Sequence, residues 1–316
     1  MLEVLLKALV PIFFVMALGY FAGRRRTIDN HHVREINALV MDFALPASLF
    51  VATASTARRE MMAQGPLFAI QGAVMLVVYL LWYLFQRRVL TTSRGQAAVQ
   101  ALTVALPNYA AAGLPLVTAI LGPKETVQVA VTIAAGSIVP TPITLLLLEL
   151  SGSSGQNNGE SSAVRMRRAL VRSLIKPIIL APVLGTLLSL SGFKLGAVAD
   201  ASLQLIGQAA GGVALFLTGL ILSAQPFRLD WAVAGATVTG NVIRPLLAVA
   251  IVHFFPVASE IAKVSILLAA LPSGFFGILF GLNYRVDPAE AGSMVIASTV
   301  FSIVTLAIAI AMLYPQ

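Results

Sequence analysis

An arginine stands in the middle of a long apolar run, and its side chain limits the chemistry that this region can perform. Arg244 lies three residues after Asn241 within the run 229–255. A charge near the centre of a membrane-spanning helix costs at least about 2.5 kcal/mol unless it faces a cavity or a partner. Because a guanidinium group can hold a carboxylate through two parallel hydrogen bonds, Arg244 and Asn241 are predicted to bind a small organic anion. The alternative role of Arg244 is structural: an ion pair with Asp42, or a cap on a cluster of carbonyl groups.

Asp42 is the acidic residue that lies deepest within an apolar run. A carboxyl group withdrawn from water binds a proton more readily than one on the surface, so Asp42 could carry a coupling proton. It could equally be the permanent partner of an arginine, and the sequence favours neither role. For energy coupling, a proton at Asp42 is preferred over a sodium ion held by unwound carbonyl groups, and transport without a coupling ion comes third.

Two similar motifs contain prolines that would interrupt membrane helices. Proline removes a backbone donor and clashes with the preceding turn, and irregular backbone within a membrane needs protein or a water-filled cavity beside it. The second half of a broken helix would direct amide donors and its positive dipole end at an anion. The predicted helix breaks are Pro107, Gly113, Pro115, Pro272 and Gly274. The predicted anion-binding residues beside them are Asn108, Tyr109 and Ser273, and Ser137 is a further candidate for the cavity wall.

The composition places these residues in a membrane protein. The 316 residues are 58% hydrophobic and 11% charged, whereas soluble domains carry about 25% charged residues. No cysteine and only three histidines are present, which excludes disulfides, thiolate catalysis and cysteine metal sites and argues against a histidine-rich one. We therefore expect no cofactor other than a coupling ion. The net charge of +8 is explained by basic cytoplasmic loops, so membrane lipid rather than nucleic acid is the expected partner.

Ten apolar runs are long enough to be spanning helices, which predicts an all-α integral membrane protein. They occupy residues 2–22, 33–54, 66–86, 97–121, 126–150, 170–191, 200–223, 229–255, 259–284 and 288–314. Lysine and arginine in loops are retained on the cytoplasmic side. Their distribution favours one side by more than two to one. Both termini are therefore expected on the non-cytoplasmic side of a bacterial cytoplasmic membrane.

The two halves of the chain repeat each other. Pro11-Ile12 recurs as Pro177-Ile178 (177 − 11 = 166), and Leu106-Pro107 recurs as Leu271-Pro272 (271 − 106 = 165). The predicted units are a first five-helix repeat at 1–150, a cytoplasmic linker at 151–168 and a second repeat at 169–316. Because each unit has an odd number of spans, the second must be inverted. Inverted repeats with matching broken helices, here the fourth and ninth, are typical of secondary transporters.

These residues resemble the auxin efflux carrier family, whose bacterial members include malonate and malate permeases. The resemblance covers essentially the whole chain. It rests on Phe43-Ala44-Leu45-Pro46, Asn108 with Gly113-Leu114-Pro115-Leu116, Arg244-Pro245 and Leu271-Pro272. Plant members have Asn-Pro-Asn-x-Tyr at the first break, whereas this chain has Leu106-Pro107-Asn108-Tyr109. Their large cytoplasmic loop is also absent, so a dicarboxylate is preferred to auxin.

The resemblance implies a scaffold of helices 1, 2, 6 and 7 and a mobile unit of helices 3–5 and 8–10 that moves like an elevator. It also implies carboxylate binding by Asn108 and Asn241 near the crossing of helices 4 and 9, and a homodimer. We therefore expect a secondary carrier of a small organic anion such as malonate or malate, not an enzyme. The alternatives are a sodium-coupled bile-acid-type carrier or a cation/proton exchanger of the same fold and, from another class, a membrane-embedded hydrolase or acyltransferase.

Overall fold

The computed structural model describes residues 2–28, 33–151, 164, 167–168, 171 and 175–315. Seven helices in these ranges are long and apolar enough to cross a membrane. They are Leu6–Arg24, Val33–Ala54, Arg58–Arg88, Pro123–Leu150, Ala197–Ser223, Trp231–Phe254 and Ala289–Leu313. The prediction of an all-α integral membrane protein is confirmed. The predicted linker at 151–168 and the start of the predicted span 170–191 lie largely outside the described residues.

The chain is helical throughout its described ranges. The first part contains α1 (Leu2–Arg24), α2 (Val33–Ala38), α3 (Leu45–Ala54), α4 (Arg58–Met62), α5 (Gly65–Arg88), α6 (Arg94–Ala105), α7 (Leu114–Leu121), α8 (Thr126–Ile138) and α9 (Pro140–Leu150). The second part contains α10 (Pro177–Ser191), α11 (Ala197–Gly207), α12 (Ala209–Ser223), α13 (Trp231–Val238), α14 (Arg244–Phe254), α15 (Ser259–Ala269), α16 (Phe276–Asn283) and α17 (Ala289–Leu313).

Three wide π-helical turns occur, at Leu39–Ala44, Tyr109–Gly113 and Thr239–Ile243. The first joins α2 to α3 and the third joins α13 to α14, whereas the second begins the segment that continues into α7. Each is followed directly by a helix whose second residue is proline: Pro46, Pro115 and Pro245. Proline has no N–H, and its ring clashes with the carbonyl group four residues earlier. A π turn moves that carbonyl away and lets the helix continue. At all three places the helical path therefore continues through the X-Pro pair.

This explains one difference from the sequence-based expectation. Gly113 and Pro115 were expected to break a helix, but the helical segment runs without interruption from Tyr109 to Leu121. Gly113 ends the π turn, and Pro115 is the second residue of α7, so the widened turn directly before it makes room for the proline ring. The interruption in this part of the chain is confined to residues 106–108.

Two helix pairs pack with their backbones almost in contact. A Cβ atom on Gly19 of α1 would lie 2.0 Å from the carbonyl oxygen of Phe216 in α12. A Cβ atom on Gly185 of α10 would lie 2.7 Å from the carbonyl oxygen of Phe50 in α3. Small residues allow such close approach between membrane helices, where packing replaces the hydrophobic effect as the driving force. These contacts tie each part of the chain to the other.

Candidate substrate site

The two proline motifs meet in space. α6 ends at Ala105, and α15 ends at Ala269; after each, the chain leaves the helical path for several residues. The backbone N–H of Asn108 donates to the carbonyl oxygen of Pro272 over 2.8 Å, and the N–H of Gly274 donates to Leu106 over 2.9 Å. The two interruptions therefore pair as a short antiparallel bridge. This bridge satisfies backbone groups that would otherwise be unpaired inside the protein.

Gly274 is required by this close approach. A Cβ atom at this position would lie 2.8 Å from the carbonyl oxygen of Leu106, which is closer than real Cβ contacts. Asn108 is 2% exposed, and its side-chain oxygen accepts a hydrogen bond from the N–H of Ala111 over 3.2 Å. Asn108 therefore caps the helical segment that begins at Tyr109.

Arg244 is fully buried, and its guanidinium group is committed to backbone carbonyl groups. Its Nε donates to Ala269 over 2.8 Å, and Nη1 donates to Val104 over 2.6 Å. The other terminal nitrogen, Nη2, donates to Leu271. These carbonyls belong to the C-terminal ends of α6 and α15 and the turn that follows, where the helix dipole leaves negative partial charge. Arg244 thus holds both interrupted helices by their ends.

This arrangement differs from two expectations for Arg244. It does not pair with Asp42, because its Nε and both terminal nitrogens donate to carbonyl groups instead. It is also fully buried and does not line the cavity described below. The alternative that the sequence left open, a capped carbonyl cluster, describes the geometry.

Asn241 and Ser273 belong to a second buried network. Ser298 Oγ donates to Asn241 Oδ1, and Asn241 Nδ2 donates to the Ser298 carbonyl oxygen over 2.9 Å. The N–H of Ser273 donates to Ser298 Oγ over 2.9 Å. Within the described ranges, Ser273 Oγ is buried and has no hydrogen-bond partner. A Cβ atom on Gly240 would lie 3.0 Å from this hydroxyl, so the glycine leaves space beside it.

A small cavity of about 40 Å³ lies against the first interruption. Its polar wall residues are Tyr109, Ser137, Thr141 and Lys176, and the other lining residues are Leu106, Pro107, Ala110, Ile133, Gly136, Ile178, Ile179, Phe276 and Phe280. Two predicted ligand residues, Tyr109 and Ser137, therefore line the cavity. Asn108, Asn241, Arg244 and Ser273 do not line it, and they form the buried support around the paired breaks.

Lys176 is a candidate functional residue that the sequence interpretation overlooked. It immediately precedes α10, and its ammonium nitrogen lies 5.1 Å from the centroid of the Phe280 ring. Asp42 is the acidic residue whose opposite charge acts on this ammonium group, but among the described residues the two form no direct ion pair. Sequence reasoning assigned Lys176 to the basic loop that fixes topology. Its position directly before Pro177 does not by itself separate it from an ordinary loop lysine.

Asp42 and Tyr109 occupy different environments. Asp42 is exposed on the π turn Leu39–Ala44, so the expected withdrawal of this carboxylate into the interior is not found. Tyr109 is buried, and its hydroxyl donates to Gln71 Oε1 over 3.1 Å. Gln71 in turn donates to the Ser265 carbonyl oxygen over 2.7 Å. The Tyr109 ring is therefore fixed, and Asp42 is the more accessible of the two.

The described residues contain no group of three His, Cys, Asp or Glu side chains that could hold a metal ion. The polar groups near the cavity are instead an ammonium, hydroxyls and the N-terminal end of the helical segment Tyr109–Leu121. Such a set attracts an anion through a positive charge and a helix dipole.

Comparison with known protein sequences shows which family the chain belongs to. Residues 4–310 match the family described as membrane transport protein. The chain is 33% identical over 296 residues to an uncharacterized transporter, YfdV, of Escherichia coli strain K12, with 90% of each protein covered. It is 25% identical over 331 residues to auxin efflux carrier component 8 of Arabidopsis thaliana, covering 89% of this chain and 90% of the relative.

A third relative is the protein of Rhizobium meliloti strain 1021 named "Putative malonate transporter". It is 24% identical over 301 residues, covering 94% of this chain and 92% of the relative. These matches confirm the resemblance to auxin efflux carriers and exclude the hydrolase and acyltransferase alternatives, since the family transports rather than transforms its substrates. The chain therefore belongs to the membrane transport protein family and is a multi-pass membrane transporter.

Proposed function

We propose that this transporter is a secondary carrier of small dicarboxylates such as malonate or malate. The observation that carries the proposal is the cavity beside the paired interruptions, where Lys176 and the N-terminal end of the segment Tyr109–Leu121 supply positive charge. A dicarboxylate has two anionic ends and little apolar surface. One carboxylate would meet the ammonium of Lys176, and the other would meet the helix end and the hydroxyls of Ser137 and Thr141.

The predicted ligand residues then divide into two roles. Tyr109 and Ser137 form the wall of the site. Asn108, Asn241 and Ser273 shape the paired breaks, and Arg244 neutralises the carbonyl ends that meet there. The unpartnered Ser273 hydroxyl beside Gly240 is the member of this group best placed to receive a substrate after a conformational change.

Alternating access is supported by the size of the cavity. A buried water needs about 10–15 Å³ of such volume, so a cavity of about 40 Å³ holds on the order of three waters. A dicarboxylate is larger, and its binding would require α10 to separate from Phe276 and Phe280 in α16. Counted along the ten predicted spans, α10 belongs to the sixth and α16 to the ninth. Their separation therefore fits an elevator-like movement of spans 3–5 and 8–10 against spans 1, 2, 6 and 7.

The proposed architecture is ten helices in two inverted five-helix repeats, with units at 1–150 and 169–316. The ten spans are the seven long helices, the shorter helix α10 and the two interrupted helices, α6–α7 and α15–α16. The reciprocal glycine contacts support the repeat, because 185 − 19 and 216 − 50 both equal 166. We further propose a bacterial cytoplasmic membrane location with both termini on the non-cytoplasmic side, and a homodimer.

For coupling, we propose that Asp42 carries a proton. Its exposed position near Lys176 would let one proton change both the charge balance at the cavity mouth and the attraction for the substrate. Sodium coupling remains the second scheme.

The test is uptake of radiolabelled malonate and malate into proteoliposomes that contain the purified protein. We expect saturable uptake of at least one dicarboxylate, inhibited by the other, and little uptake of a monocarboxylate of equal length. The proposal would be contradicted if the protein took up monocarboxylates and dicarboxylates of equal length equally well. It would also be contradicted if no dicarboxylate raised the melting temperature of the protein in a thermal-shift assay.

A further inference from the structure

A second and larger cavity lies away from the proposed substrate site. It has a volume of about 370 Å³ and forms a groove between α3 and α10 on one wall and α5 and α8 on the other. The short helix α4 closes one end. Lining residues include Phe68, Ala134 and Leu187, and the walls are almost entirely apolar. None of the residues assigned to the substrate site lines this groove.

The rim of the groove faces outward and is also apolar. Met62 is 66% exposed, Leu187 58% and Ile138 46%. In a membrane-spanning chain, exposed apolar side chains of this kind meet hydrocarbon rather than water. By the same measure of about 10–15 Å³ for one water, a groove of about 370 Å³ holds on the order of thirty water-sized groups, and a methylene group is similar in size to a water. The groove therefore has room for at least one fatty acyl chain.

The helix at one end of the groove, α4, carries two exposed arginines, Arg58 and Arg59. Arg58 lies four residues before Met62, which lines the groove, and so shares its helical face. Arg59 and Glu60 lie on other faces of this short helix, and the helix carries a net charge of +1. An arginine pair beside an apolar groove is complementary to a phosphate attached to acyl chains.

Gln64 provides a second, independent indication of a ligand. It lines the groove and is 8% exposed, and within the described part of the chain its Oε1 atom is buried without a hydrogen-bond partner. A buried amide oxygen without a donor is costly, and native structures rarely leave one unsatisfied. A donor at the edge of the groove, such as a headgroup hydroxyl, would satisfy this atom.

We propose that the groove binds one molecule of an anionic, hydroxyl-bearing glycerophospholipid of the phosphatidylglycerol class. One acyl chain fills the groove, the phosphate pairs with Arg58 and Arg59, and a headgroup hydroxyl donates to Gln64 Oε1. A second part of the inference rests on the proposed function: α3 and α10 belong to the scaffold, and α5 and α8 belong to the mobile unit. A lipid bound between them would therefore also affect the rate of transport.

The experiment measures lipid retention by the full-length purified protein with native mass spectrometry, without any transport substrate. Phosphatidylglycerol, phosphatidic acid and phosphatidylcholine with identical acyl chains are added in turn. We expect phosphatidylglycerol to be retained about tenfold more than phosphatidylcholine. The double variant R58Q/R59Q should lose this preference, whereas the matched control K124Q/K194Q, on the same predicted side and outside the groove, should keep it.

Two further variants test the groove and the hydroxyl contact. Ala134→Phe, which fills the groove, should reduce retention of phosphatidylglycerol and phosphatidylcholine alike. Gln64→Leu should remove the difference between phosphatidylglycerol and phosphatidic acid. Equal retention of phosphatidylglycerol and phosphatidylcholine by the wild type, or an unchanged preference in R58Q/R59Q, would overturn the proposal. Lipid retention is measured without any transport substrate. The result therefore tests the lipid site even if the protein does not transport dicarboxylates.

Discussion

Replacement of Arg244 by methionine separates a structural from a ligand-binding role for this residue. Methionine keeps a similar length and an apolar stem but has no donor. The change therefore deletes three hydrogen bonds, to Val104, Ala269 and Leu271, and leaves three buried carbonyl groups at the paired interruptions. Because these carbonyls lie where two helices end, their loss of partners should loosen the bridge between Asn108 and Pro272 as well.

The magnitude follows from the geometry. Hydrogen bonds to a charged group contribute about 1.5–3 kcal/mol each, so three bonds give an upper bound near 9 kcal/mol. Removing the guanidinium also removes the cost of burying its charge, which offsets part of this loss. Breaking comparable buried charged pairs costs about 3–5 kcal/mol, and we expect the free energy of unfolding to fall by this amount. Arg244→Lys should lose less, since its ammonium can reach only part of the carbonyl set.

The assay is unfolding in detergent micelles with increasing denaturant, followed by tryptophan fluorescence. Trp82 is 5% exposed and packs against Gly235 of α13, so it reports on the helix that leads into Arg244. The matched control is Arg228→Met, which removes an exposed arginine and should leave the unfolding curve unchanged. If Arg244→Met unfolds like the wild type while dicarboxylate binding disappears, the carbonyl-capping account is refuted and Arg244 is a direct ligand.

Three further predictions concern the cavity and the helix contacts. Lys176→Gln should raise the KM for dicarboxylate uptake at least tenfold while Lys176→Arg retains most affinity; an unchanged KM in the glutamine variant would remove this residue from the site. Asp42→Asn should abolish the dependence of uptake on external pH, and a preserved pH profile would clear Asp42 of a proton-carrying role. Gly219→Ala places a Cβ atom 1.9 Å from the carbonyl oxygen of Met16 and should lower the free energy of unfolding by about 1–3 kcal/mol. Gly212→Ala, where nothing lies within 4 Å, should be neutral or stabilising in the same measurement, and equal effects of the two would contradict the packing argument.

Local signals in the sequence predicted the elements and two of their irregularities. Apolar runs have a length set by the bilayer, and Pro107 and Pro272 stand where the helices lose their regular hydrogen bonds. The π turns were not predicted, because an X-Pro pair can either break or widen a helix. Pro115 and Pro245 show the second outcome, and the choice depends on whether neighbouring helices accept the widened turn.

The function of single polar residues was harder to predict from sequence. The acceptors of Arg244 lie 25, 27 and 140 residues away along the chain, so only the tertiary fold brings them together. Lys176 was overlooked for a different reason. A lysine beside an apolar run satisfies the rule for membrane topology, and nothing local distinguishes such a residue from one that also turns towards a cavity.

The glycine contacts between α1 and α12 and between α3 and α10 have a consequence for how the polypeptide is made. Each contact joins a helix that precedes residue 151 to one that follows residue 176, with a backbone carbonyl of one helix directly beside a glycine of the other. Neither segment can therefore complete its own helix packing without the other. We expect the two segments, produced as separate fragments, to be stable only when both are inserted into the same bilayer.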